Sequence, residues 1–243
     1  MDFGKVNSRR NGTVPLTLKQ VDSIYWLGRY TERVLTTLKI FMNVYDSQLD
    51  SHFDFAKYCS DLDIYNGFSS LADFCQRYAF DKSYASSIIS SMNRSYDNAI
   101  MLRETIGSDA LSYIELALKR MEDAQFSETP VLVFQKVIDN IMAFKGQVFD
   151  SITDHNVRHI LLAGFTLERL DMYLRLNMNE EQVNFECRRL THSIERTDIN
   201  CDRFALQKVC GELCENTEFL DNADKMVLLH LIDGLFIKID EAA

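Results

Sequence analysis

Two strings in this sequence carry the residues best suited to chemistry. Gly28-Arg29-Tyr30-Thr31-Glu32-Arg33 and Gly164-Phe165-Thr166-Leu167-Glu168-Arg169 each place Glu-Arg four positions after a glycine, and they stand 136 positions apart. The match extends to Leu38-Lys39-Ile40 and Leu174-Arg175-Leu176, so the shared pattern Gly-x-x-x-Glu-Arg-x-x-x-x-Leu-basic-apolar reads as an internal pseudo-repeat. A carboxylate can donate or accept a proton or receive a cation, and an arginine can hold an anion through paired N–H bonds. Glu32 and Glu168 are therefore the candidate catalytic residues, with Arg33 and Arg169 as candidates for holding an anionic substrate.

Helix geometry restricts how these groups meet. Neighbours on a helix point about 100° apart, so neither glutamate can face the arginine beside it, and the partners must come from elsewhere. Because a heptad drifts only about 20°, Gly28, Glu32 and Lys39 share one sector, as do Gly164, Glu168 and Arg175. A mid-helix glycine costs about 1 kcal/mol relative to alanine, which implies that something approaches the backbone one turn before each glutamate. Two readings follow. In one, the elements form a helix crossing with each glutamate paired to an Arg or Tyr of the other helix, which fixes register. In the other, they line a polar pocket in which the carboxylates act as acid or base.

Other constellations are weaker. His155 and His159 lie one helical turn apart but lack the intervening Glu of the zinc-protease motif, and they suit an exposed helix start. Cys210 and Cys214, with Cys201 and His192 nearby, match no standard zinc spacing. Glu195-Arg196 lacks the preceding glycine and reads as a solvated face or a lesser interhelical pair. No phosphate-cradling glycine loop, no nucleophile elbow and no Glu-x-x-His pair of a di-iron bundle occurs, so no metal and no cofactor is expected.

The elements that must position these groups are helices. Among 243 residues, 47% are apolar, enough for a substantial core, while 9 Gly and 2 Pro leave little punctuation for a many-stranded fold. Thr17-Leu18-Lys19-Gln20 has the form of a capping box and predicts a first helix from there to about Leu49. Residues 50–68 read as an irregular connection with at most a short helical turn. Helices are predicted near Ser69 to Tyr78, from Ser83 to Ile106 with Gly107 as the stop, and from Ser108 or Asp109 through Met121. Thr129-Pro130 should cap and open a helix to about Ile152, and Asp154 should start another through Leu174. Three more are predicted over about Glu180 to Arg196, Phe204 to Leu213 and Asp221 to Glu241. The expected fold is an all-α bundle of seven to nine mostly antiparallel helices. Residues 1–16 are expected to be a flexible segment, and 17–243 one domain divisible into sub-bundles 17–125 and 129–243.

The charge balance narrows the partners. With 26 Lys+Arg against 36 Asp+Glu, the net charge of −10 would repel nucleic-acid phosphate and anionic membranes, and no basic run offsets it. Without an apolar run of about 20 residues or a secretory leader, a soluble cytoplasmic protein is expected, its six cysteines reduced and mostly buried.

Ile24-Tyr25-Trp26-Leu27-Gly28-Arg29-Tyr30-Thr31-Glu32-Arg33, taken with Gly164 to Arg169, resembles the signature of the alpha-E proteins, a bacterial helical family named for its Glu-Arg motif. Ser86-Ser87-Ile88-Ile89-Ser90-Ser91, followed by Asp97-Asn98-Ala99 and Arg103, is similar to that family's Ser-Ser-Ile-x-Ser-Ser and Glu-Asn-Ala-Arg stretch. The likeness spans about Leu18 to Leu176. It departs at Phe165, where a second Gly-Arg would stand, and at Ile100, where an Arg would stand, and both departures remove positive charge from an anion pocket. The resemblance adds Arg29, Asn98 and Arg103 to the candidate binding residues. It also implies a protein that accompanies a circularly permuted ATP-grasp protein, often with a transglutaminase-like peptidase, in making or attaching peptides. Two functions are carried forward: an accessory protein binding that ligase or its peptide product, and an enzyme using Glu32, Glu168 and the arginines on a small anionic or amino-acid-like substrate. A purely structural oligomerising bundle is a third.

Overall fold

The computed structural model of the chain describes residues 16–47, 53–178, 180–197, 201–215 and 222–236. The expected segment 1–16 lies almost wholly outside them, as does the far end of the last predicted helix.

The described residues form eleven helices, α1 (Leu18–Ser47), α2 (Phe55–Asp61), α3 (Leu71–Phe80), α4 (Ile88–Met101), α5 (Arg103–Ile106), α6 (Ser108–Ala124), α7 (Pro130–Ser151), α8 (His155–Arg175), α9 (Glu180–Ile194), α10 (Arg203–Glu215) and α11 (Asn222–Asp233). The count exceeds the expected seven to nine for two local reasons. Within the aromatic stretch after residue 50, Asp54 caps a short helix by accepting from the Lys57 N–H at 2.9 Å. The long helix predicted to end at Ile106 breaks at Leu102, leaving α5 as a single turn that stops at Gly107, whose φ of 85° suits glycine. The only β-pairing among the described residues is an isolated bridge between Cys201 and Phe236.

The helix starts follow the local chemistry. At α1 the capping box is complete: Thr17 N–H donates to Gln20 Oε1 at 2.9 Å, and Gln20 N–H donates to Thr17 Oγ1 at 3.2 Å. Asp154 opens α8 by accepting from the N–H groups of Asn156 and Val157. Pro130 opens α7 as expected, but the Thr129 side chain makes no capping bond: its φ of −128° and ψ of 64° lie outside the extended geometry typical of a cap.

Two hydrophobic cores result. The first joins α1 to α4, α6, α7 and the beginning of α8, and is rich in aromatics: Phe41, Phe74 and Phe134 are essentially fully buried, with ring centroids 6.0 Å apart from Phe41 to each of the others. Phe53, Phe55 and Tyr58 of the stretch that showed no periodicity pack on Phe74, so that stretch contributes to the core. The second core is aliphatic and joins the later part of α8 through Leu167, Leu170 and Leu174 to α9, α10 and α11. Each fully buried Leu or Phe contributes about 1.5–3 kcal/mol. Helix α8 thus belongs to both cores, and its closest partner is α1.

Candidate functional site

Gly28 and Gly164 lie against each other where α1 and α8 cross. A Cβ on Gly28 would sit 2.6 Å from the Leu161 carbonyl oxygen and 3.1 Å from Gly164 Cα, and one on Gly164 would run into the Tyr25 carbonyl oxygen. Contact with backbone on both sides is what the two mid-helix glycines permit. The residues in contact advance together along both helices, with 28 beside 164 and 32 and 33 beside 169 and 168, so the pair crosses in a parallel sense. The short-loop argument for antiparallel neighbours does not reach these two helices, which are far apart in sequence.

One turn beyond the glycines the charges interlock. Glu168 receives Arg29 Nε at 2.6 Å and the Nε of Arg33, both from α1. Glu32 receives Arg169 Nε of α8 at 2.7 Å and Lys145 Nζ of α7 at 2.5 Å, with the Thr36 hydroxyl donating to it at 3.3 Å. Both carboxylates are 1% exposed, whereas Arg33 keeps 42% of its side chain in solvent. The network continues outward: Arg169 also reaches Glu186 of α9 at 2.7 Å, and Arg189 joins Glu186 at 3.2 Å. Neither basic residue of the shared heptad reaches its glutamate. Lys39 is exposed, and Arg175 pairs with Asp171 at 3.1 Å.

The surroundings set the protonation states. Burial alone would raise the Glu168 carboxyl, but Arg29 and Arg33 outweigh it and hold it below the ordinary value of 4.5. Glu32 behaves likewise, burial being overcome by Lys145 and Arg169. Lys145 is pushed below the ordinary ammonium value by burial, a shift that Glu32 counters only in part and that Arg169 adds to. Burial raises the Tyr25 phenol to about 12, leaving it a neutral acceptor for Arg29 Nη1 at 3.4 Å. Both glutamates are therefore ionised at neutral pH, with their oxygens occupied by cations.

The serine-rich stretch before α4 serves packing. Ser87 caps α4 by accepting from Ser90 N–H at 3.1 Å, and the Ser95 and Thr31 hydroxyls meet at 2.7 Å where α4 lies against α1. Asn98 donates to the Arg94 carbonyl oxygen at 3.0 Å and lines a recess of about 340 Å³ with Trp26, Tyr30, Arg94 and two aspartates. Trp26 and Tyr30 stack there at 5.2 Å. Arg103 stands apart from both places, exposed on α5 with Ser108 Oγ at 3.4 Å. Of the residues singled out from sequence, Glu32, Glu168, Arg29, Arg33 and Arg169 come together, Asn98 faces a separate recess, and Arg103 joins neither.

Lys145 and Glu186 complete the network without a signal of their own in the sequence. Lys145 lies one helical turn after Ile141 and one turn before Val148 on α7, at the edge of a buried stripe, and nothing in its own neighbourhood marks it. Elsewhere, His155 is exposed at the start of α8, while the His159 ring lies 6.3 Å from that of His192, with burial lowering its basicity. Glu195 and Arg196 are exposed, as a solvated face requires. Among the described residues no group of His, Cys, Asp or Glu could hold a metal ion, and the Cys214 side chain lies outside them. No described helix is long and apolar enough to cross a membrane.

An all-helical chain with buried Glu-Arg pairs exchanged across one glycine crossing defines a class of helical proteins built on that motif. Residues 17–231 match the Alpha-E family, a predicted alpha-helical domain with a conserved ER motif, and the chain belongs to that family. No curated protein and no solved structure matches it.

Proposed function

We propose that this chain is an accessory helical protein acting beside a circularly permuted ATP-grasp ligase, with or without a transglutaminase-like peptidase, in peptide or amide-bond formation. The partnership rests on the family resemblance. The accessory role rests on one observation: each Glu-Arg carboxylate is 1% exposed and held by two cations. An ionised carboxylate so enclosed has no proton to donate and no approach for a substrate, so it is suited to fixing helix register. The two Glu-Arg strings act in this reading as a pseudo-repeat, each giving a carboxylate to the other's arginine.

A surface suited to recognition is the recess where Trp26 and Tyr30 of the first motif meet Asp97 and Asn98 of the middle one. Stacked aromatics beside carboxylates and an amide suit a peptide or a ligase loop. Co-purification of the chain with the neighbouring ligase tests the proposal. Trp26→Ala with Tyr30→Ala should abolish recovery of the ligase while leaving helix content unchanged; undiminished recovery overturns this surface, and failure of the unaltered chain to retain the ligase overturns the partnership. The enzyme alternative keeps one foothold, the solvent-facing guanidinium of Arg33. It requires Glu32→Gln and Glu168→Gln to abolish turnover with no loss of stability.

A further inference from the structure

Cys187 and Cys210 face each other across α9 and α10, Cys187 directly following Glu186 at the outer end of the charge network. The Cys210 thiol donates to the Cys187 carbonyl oxygen at 3.7 Å, and the Thr191 hydroxyl, one turn along α9, lies 3.1 Å from that oxygen and 3.5 Å from the Cys210 sulfur. A side-chain hydrogen bond with Cys187 is the first cause of a Cys210 thiol lowered to about 7; burial opposes the shift and Thr191 adds to it. The two thiols differ in access. Cys187 is fully buried, whereas Cys210 is partly exposed and lines a recess of about 420 Å³ together with Thr191, Glu195, Arg203 and Gln207. Among the other described cysteines, Cys59 is raised to about 11 and Cys201 is also raised, in each case by burial.

We propose that Cys210 and Cys187 form a peroxide-oxidisable pair, Cys210 being the residue attacked and Cys187 the residue that resolves it into an interhelical disulfide. In the first step the Cys210 thiolate sulfur attacks one peroxide oxygen. An S–O bond forms, the O–O bond breaks, and the departing hydroxide takes a proton to leave as water. In the second, the Cys187 thiol loses its proton and its sulfur attacks Cys210. The S–S bond forms, the S–O bond breaks, and a second water leaves. Two thiols are thereby oxidised by two electrons, and hydrogen peroxide is reduced to two waters. Arrangement and access favour this order: the outer sulfur lines a recess with the Thr191 hydroxyl 3.5 Å away, and the buried cysteine faces it from the adjacent helix. The bond would tie α10 to α9 within the second core.

The test uses the full chain. Hydrogen peroxide at neutral pH, followed by thiol blocking in denaturant and mass spectrometry of non-reduced peptides, should give a Cys187–Cys210 linked peptide, and Cys210→Ser should remove it. In Cys187→Ser the oxidised Cys210 should persist as a sulfenic acid that dimedone traps. Without any variant, maleimide should label Cys210 about tenfold faster than Cys201 at neutral pH, as their opposite thiol shifts require. Oxidation that leaves Cys210 alkylatable, that links it to Cys201 or Cys214 instead, or labelling of Cys201 ahead of Cys210 overturns the proposal.

Discussion

The two halves of the Glu-Arg crossing are built from the same string yet are completed differently. Glu168 is held from α1 alone, by Arg29 and Arg33, which stand one and five positions after Gly28. The position after Gly164 is Phe165, so α8 can return only Arg169 to Glu32, and the missing cation arrives from a third helix as Lys145, whose Nζ lies 4.3 Å from the Phe165 ring centroid. The charge that Arg29 supplies in the first string and Phe165 does not in the second is thus made up in space, with the aromatic ring at that position supporting the substitute ammonium. The charge is preserved at the carboxylate while its source moves from the motif to α7. A position without charge in one of the two strings need not leave its carboxylate without a partner.

This asymmetry predicts unequal consequences when each side is broken. Glu168→Gln should cost most, about 3–5 kcal/mol in chemical denaturation, because Arg29 is buried, cannot lose its charge and pairs with no other carboxylate among the described residues. Gly164→Ala should come next, at about 1–3 kcal/mol, since its Cβ meets backbone that cannot move without separating the helices. Glu32→Gln should cost clearly less than Glu168→Gln, about 1–3 kcal/mol: Arg169 retains Glu186, and Lys145, already shifted downward, can release its proton. Equal losses for the two glutamates would show that the halves are equivalent. Thr36→Val should be smallest, about 0.5–1.5 kcal/mol, as it removes one long hydrogen bond to Glu32.

Acid should sharpen the same contrast. Both glutamates have folded values below the ordinary 4.5, so the unfolded chain binds more protons in that range and stability falls as the pH drops. The contribution is complete above the unfolded value and is lost as the pH falls through the depressed folded ones. Urea midpoints measured downward from neutral pH should decline less steeply below about 4.5 in Glu168→Gln than in the unaltered chain, because one such group has been removed. An unchanged slope would refute its role.

Much of this arrangement was legible in the sequence because it depends on short-range rules. The capping box at Thr17, the acidic cap at Asp154 and the glycine stop at Gly107 act within a few residues, and each helix began or ended as they require. The crossing itself could be anticipated because two glycines and two glutamates kept the same spacing on both helices. Lys145 and Glu186 could not, since their roles exist only once α7 and α9 have packed beside the pair. The aromatic stretch after residue 50 was opaque for a related reason: Phe53, Phe55 and Tyr58 are gathered by Phe74 of a later helix, with no period of their own to announce it. Arg103 illustrates the reverse, a motif residue whose helix turns it to solvent beside Ser108.

The glycine contact also has a consequence for synthesis. A ribosome delivers Arg29 long before it makes Glu168, 139 positions later, so at about 5–20 residues per second the guanidinium and the bare backbone patch around Gly28 must wait roughly 7–28 seconds for their complement. During that interval the first helix is a surface without its mate, open to chaperones or to another nascent copy, and the chain's final architecture depends on an element that emerges after more than half of it has been made.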